Sequence, residues 1–174
     1  MLFRSAGRIR EGVLRITAEA VARLTQARDA EGAALAADLQ GHCKIISRQL
    51  DQISARSGMV LQEYFRRLKK RVDELLAGVK IDVDEDALAR EVAVFAERSD
   101  ISEELARLSF HLDEFVKACA GDSQAGRRLE FISQEMLREA NTIASKACDN
   151  EITRRVVEIK CEIDRLKEQV QNVQ

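Results

Sequence analysis

Residues 35–77 read LAADLQGHCKIISRQLDQISARSGMVLQEYFRRLKKRVDELLA. Within them Leu35, Leu39, Ile46, Leu50, Ile53, Val60, Tyr64, Leu68, Val72 and Leu75 recur at intervals of three, four and seven residues, the repeat of a single helix face. No proline interrupts the run, because the chain contains none. A helical period sustained this long exceeds an ordinary globular helix. The stretch therefore predicts one very long helix or a helical hairpin arm. Gly58 inside it costs about 1 kcal/mol relative to alanine. Upstream, Val13, Ile16, Ala20 and Leu24 carry the same spacing back to Gly12, so the arm is expected over residues 12–78, with residues 1–11 unassigned.

Downstream, Gly78 ends the arm and Val79 to Asp84 reads as an acidic linker. Carboxylates at Asp84 to Asp86 suit the positive end of a helix that continues through Leu88, Val92 and Phe95 to about Arg98. Asp100-Ile-Ser-Glu103 resembles a capping box opening the next helix. That helix carries Leu105, Leu108, Leu112 and Phe115 on one side and Glu104, Arg107, His111 and Glu114 along its edge, where partial burial can tune charge. Gly121 to Ala125 forms a loop. After Asp149, Ile152, Val156, Ile159, Ile163, Leu166, Val170 and Val173 alternate spacings of four and three, a heptad seam that fits either internal packing or a subunit contact. The expected fold is all-α: the arm, then a bundle of about four helices over residues 79–174, forming a single helical domain overall.

Composition agrees with this class. The chain has 174 residues, 45% of them apolar, 33% charged and only 4% aromatic. A net charge of −2 supplies no global field for nucleic acid, so any such binding must use local patches. No apolar run approaches the roughly 20 residues of a membrane span and no leader is evident. A cytoplasmic location and no membrane partner are expected. Cys43, Cys119, Cys148 and Cys161 lack zinc-ligand spacing and read as reduced, half-buried thiols. His42 and Cys43 are adjacent, so on a helix they point about 100° apart and do not converge.

Two polar stretches stand out. Arg66, Arg67, Lys69, Lys70 and Arg71 place five cations in six positions, read first as a solvated face and second as a phosphate contact. In Gly126 to Lys146, Leu129, Ile132, Met136, Ala140, Ile143 and Ala147 form an apolar stripe. Arg127, Gln134, Arg138, Asn141, Thr142 and Ser145 gather on the opposite side, flanked by Phe131, Glu135, Glu139 and Lys146. Asn, Thr and Ser are poor helix formers. Their presence points first to a polar seam buried against another helix, and second to a surface that grips a polyanion or metal.

Three segments together resemble the YicC-like family of bacterial endoribonucleases: Asp100 to Phe115, Gly126 to Lys146, and Val157 to Val173. The resemblance rests on Glu103-Glu104-Leu105, Gly126-Arg127, Gln134-Glu135, Arg138-Glu139-Ala140-Asn141-Thr142, Ser145-Lys146 and Glu168-Gln-Val-Gln-Asn172. It extends from about residue 10 to the end. Phe110 stands where the family usually has serine, and Leu137 where asparagine is common; each removes a polar group from the region. The family resembles a longer two-part protein with an α/β region ahead of the helices, and this chain is similar to the helical half alone.

The resemblance implies RNA cleavage dependent on a divalent ion, Mn²⁺ or Mg²⁺, by a ring-like homo-oligomer, a hexamer, acting on single-stranded or structured RNA. No DNA substrate is expected. Under that reading Glu104, His111, Glu135 and Glu139 are the candidate catalytic groups, with Glu135, Glu139 and His111 the candidate metal donors. Arg107, Arg127, Arg128, Arg138 and Lys146 are candidates for phosphate, with Asn141 and Ser145 positioning substrate. Without the resemblance, His111 is as readily a structural histidine, and Glu104-Arg107 and Glu135-Arg138 are ordinary i, i+3 ion pairs. The competing function is a non-catalytic helical oligomerisation or RNA-binding module, assembled through residues 35–77 and 152–173.

Overall fold

The computed structural model describes residues 2–77, 84–119 and 125–171; the side chains of residues 2–9 and 125 fall outside the description. The described residues form five helices and no strands: α1 (Leu2–Leu76), α2 (Glu85–Ser99), α3 (Ser102–Cys119), α4 (Ala125–Lys146) and α5 (Asn150–Gln171). The arm is thus one helix rather than a hairpin. Most of the acidic linker, the loop before α4 and Val173 lie outside the described residues. Two compact units divide between Asp38 and Leu39, within α1.

The physical reason lies in what each half of α1 buries. In the second unit, Leu39–Gln174, α1 contributes Leu39, Cys43, Ile46, Leu50, Ile53 and Val60 to the core, at alternating steps of four, three and seven residues. The α5 seam supplies Ile152, Val156, Ile159, Ile163, Leu166 and Val170, each 2% exposed or less. That seam is internal packing. Burial of side chains this size is worth about 1.5–3 kcal/mol apiece. In the first unit, Met1–Asp38, every side chain from Val13 to Ala34 is exposed, including Val13, Leu14, Ile16, Val21 and Leu24. Its helical period is real, but its apolar stripe buries nothing.

Polar contacts fix the helix directions in the second unit. His42 donates through Nδ1 to Glu162, Gln49 bonds Glu158, Arg155 reaches Gln52, and Arg56 reaches Asp149; residue numbers rise on α1 as they fall on α5, so the two run antiparallel. The α3 pairings run the same way against α4, Glu104 with Lys146, Arg107 with Glu139, and Glu114 with Arg128. Carboxylates start the helices as their positions suggest. Asp84 accepts from the backbone N–H groups of Asp86 and Ala87, Asp100 from that of Ser102, and Asp149 from those of Glu151 and Ile152. Helix α2 buries no residue and is tied to α1 through the Tyr64 and Phe95 rings, stacked at 3.6 Å between centroids. None of the described helices is long and apolar enough to cross a membrane.

Candidate functional site

Helix α4 has three unlike sides. Leu129, Ile132, Met136, Ala140 and Ile143 enter the core, together with Ser133, whose hydroxyl donates to the Glu130 carbonyl at 2.7 Å. On the far side Arg127, Phe131, Gln134, Arg138, Asn141 and Ser145 alternate steps of four and three, and all six are exposed. The first expectation, a polar seam buried against another helix, is therefore corrected for this chain: α3 and α5 occupy the other sides of α4, and the polar side meets solvent. The Thr142 and Ser145 hydroxyls bond back to carbonyls of Arg138 and Thr142. The amides of Gln134 and Asn141 make no hydrogen bond among the described residues, so their donors and acceptors are open to a ligand. With Leu137, Arg138, Thr142 and Ser145 they line a shallow open depression of about 510 Å³.

The third side, facing α3, is a ladder of ion pairs. Lys146 Nζ lies 2.8 Å from Glu104 Oε1, and Arg107 Nε lies 3.1 Å from Glu139 Oε2. Arg107 also reaches Glu103 at 2.5 Å and Glu104 at 3.5 Å. Farther along, Arg128 and Lys117 share Glu114. Both Glu104 and Glu139 are buried, with side chains 4% and 8% exposed. Burial alone raises the Glu104 carboxyl; the hydrogen bond from Lys146, its own backbone N–H and the charges of Lys146 and Arg107 together outweigh that and hold it below the usual carboxylate range. Its second oxygen, Oε2, is buried without a partner. The bond to Glu139 raises the Arg107 guanidinium in turn.

The structure thus gathers Glu104, Arg107, Glu139 and Lys146 into one cluster and pairs Arg128 with Glu114. It leaves Arg127, Asn141 and Ser145 on the open face, and holds Arg138 loosely to Glu135 at 3.5 Å. His111 sits half-buried at the α3 edge, its ring edge-on to Phe110 at 5.7 Å. A resident divalent ion does not fit the candidate donors as they stand. Glu139 is spent on Arg107, and among the described residues no three His, Cys, Asp or Glu side chains converge.

Other polar residues were not legible in the sequence. Glu162 is buried between His42 and Arg165, and Arg56 clasps Glu63 and Asp149. The only hint was a carboxylate set into the α5 seam beside Ile163. All four cysteines are free; Cys43 is buried, Cys119 half-buried, and Cys148 and Cys161 exposed. Burial, with a smaller contribution from nearby Cys119, pushes the Cys43 thiol up to about 12, which makes it an inert core group.

The model for the family described as "Endoribonuclease YicC-like, C-terminal" matches residues 53–174, which include α3, α4, α5 and the whole exposed face. This chain belongs to the YicC-like endoribonuclease family. It is 38% identical over 156 residues to a probable endoribonuclease YicC of Clostridioides difficile, covering 90% of this chain and 53% of that protein. To the probable endoribonuclease YicC of Haemophilus influenzae it is 33% identical over 147 residues, covering 84% and 50%. The chain spans about half the length of these YicC relatives.

Proposed function

We propose that this chain is the C-terminal helical part of an endoribonuclease, and that the outer face of α3 and α4 holds its RNA. The exposed row Arg127, Gln134, Arg138, Asn141 and Ser145 carries the reading: two guanidiniums for phosphate oxygens, and two amides for base edges or the 2′-hydroxyl. In the cleavage step a base takes the 2′-hydroxyl proton, the 2′-oxygen bonds to phosphorus, and the bond to the 5′-oxygen breaks as that oxygen is protonated. His111 and Glu135 are the proton-transfer groups here, being the candidates not held in the buried ladder. Arg127 and Arg138 neutralise the charge that builds on phosphorus. Glu104 and Glu139 are positioning residues that set α3 against α4 through Lys146 and Arg107. The protein works as a cytoplasmic ring-like homo-oligomer, a hexamer, in keeping with the family resemblance. The exposed apolar side chains of residues 13–24 are its self-association surface, in place of the α5 seam that the core consumes.

The test is cleavage of end-labelled single-stranded RNA by the purified chain with Mn²⁺, Mg²⁺ or chelator. Internal cuts that are lost or reduced at least tenfold in His111→Ala and Glu135→Gln are expected. Undiminished cutting by both variants removes these groups from the reaction. RNA binding without cuts in any metal would favour the non-catalytic module instead.

A further inference from the structure

One face of α1 takes no part in the function proposed above. Arg66, Arg67, Lys69, Lys70 and Arg71 are all exposed, and at 100° per residue they cover the side of the helix away from half-buried Tyr64, Leu68 and Val72. Arg66 with Lys70, and Arg67 with Arg71, repeat at i, i+4, where side chains stand about 5–6 Å apart. A merely solvated basic run carries its counter-charges three or four residues away. Here Glu63, Asp73 and Glu74 stand at those spacings, but Glu63 is spent on Arg56 and only Glu74 pairs with a member of the run. Glu63 gives both oxygens to Arg56 at 2.7 Å, Glu74 reaches only Lys70, at 3.7 Å, and Asp73 makes no ion pair among the described residues. Arg66, Lys69 and Arg71 are without an ion-pair partner among the described residues, and Arg67 feels Glu63 only at longer range. In a chain of net charge −2 this is a local exception. The like charges repel along the helix, and an external polyanion relieves that repulsion.

An apolar depression of about 490 Å³ adjoins the cations, lined by Leu61, Gln62, Phe65, Arg66 and Val92. Phe65 is 40% exposed and sits four residues before Lys69, so its ring borders the basic face. Cations beside an exposed aromatic ring match single-stranded nucleic acid, which offers phosphates to one and base faces to the other. A lipid surface suits the arrangement less well, because a helix lying on a membrane sinks its apolar side into the bilayer. On this segment Tyr64, on the apolar side, is already stacked on Phe95 of α2.

We propose that residues 61–71 of α1 are a second RNA-contacting surface. Arg66, Arg67, Lys69, Lys70 and Arg71 follow the phosphate backbone of a single-stranded segment, and Phe65 stacks on an unpaired base. The proposal rests on the reading that α3 and α4 hold RNA, and extends it to a separate element. The probe is a fluorescein-labelled 20-nucleotide oligouridylate, bound to the full chain in chelator and followed by anisotropy across a salt series. Replacing all five cations with glutamine, a good helix former, lowers the magnitude of the log-affinity against log-salt slope by about 3.5, since each single-strand phosphate contact contributes roughly 0.7. Phe65→Ser weakens binding about tenfold and leaves the slope unchanged. Circular dichroism melts confirm that both variants fold. An unchanged slope in the glutamine variant overturns the proposal, while reduced affinity of Gln134→Ala with Asn141→Ala in the same assay leaves the α3–α4 reading standing. The converse pattern sinks that reading and keeps the α1 surface. Failure of the unaltered chain to bind the oligonucleotide sinks both. If the glutamine variant loses binding to phosphatidylserine vesicles or poly-glutamate but keeps its RNA slope, the surface serves another polyanion and the proposal fails.

Discussion

Lys146 shows how a residue drawn from a polar motif acquires a specific physical task. Its ammonium group reaches Glu104, whose side chain is 4% exposed and whose second oxygen has no partner. Removing one member of a fully buried pair typically costs 3–5 kcal/mol; Lys146 is 38% exposed, so water softens the loss. Lys146→Ala should lower unfolding stability by about 1–3 kcal/mol, and Glu104→Gln in the same background should restore part of it. Urea titration measures both, and an unchanged midpoint for Lys146→Ala would show that the pair contributes nothing. Gly58 predicts the opposite sign. An added Cβ there meets nothing within 4 Å, so Gly58→Ala should gain about 0.5–1 kcal/mol from helix propensity alone.

Between elements, the clasp of Arg56 on Glu63 and Asp149 ties α1 to the start of α5. Hydrogen bonding to Arg56 is the main reason that the Asp149 carboxyl lies below its ordinary value; burial opposes this, and the Ile152 and Glu151 backbone N–H groups and the Arg56 charge add to it. Glu63 is lowered by the same partner. A carboxyl with a depressed folded-state pKa binds fewer protons folded than unfolded. Its stabilisation is complete above the unfolded value of about 4 and disappears as pH falls through the folded value. Melting temperature should therefore be nearly flat from pH 7 to 5 and fall below about pH 4. Asp149→Asn keeps an N-cap but no charge, so it should melt lower at pH 7 and lose part of the acid-side fall. A parallel acid profile in that variant would locate the dependence elsewhere. The carboxylates at 84, 100 and 149 were legible as helix starts because capping depends on neighbours a few residues away. The partner of Arg56 was not, since Asp149 lies far along the chain and only the antiparallel packing of α1 and α5 brings it close.

For the whole molecule, Val13, Leu14, Ile16, Val21 and Leu24 are exposed, and residues 13–24 are the proposed self-association surface. Ile16→Asp with Leu24→Asp should reduce the solution mass by light scattering while leaving helical content largely intact; an unaltered mass excludes this stretch as an interface. An α5 change such as Ile159→Asp should unfold the second unit rather than dissociate it, because Ile159 is fully buried within the chain. Periodicity and capping, both short-range properties, determined from sequence alone that the chain is helical, roughly where each helix begins, and which faces are apolar. They could not say which stripe finds a partner. The stripes at 13–24 and 152–170 have similar repeats, yet one is exposed and the other forms the core. The same limit applies to α4, whose polar row reads from sequence first as a seam and second as a surface, and only the neighbouring helices leave it exposed. Burial is a property of what lies across from a face, and only the tertiary structure decides that.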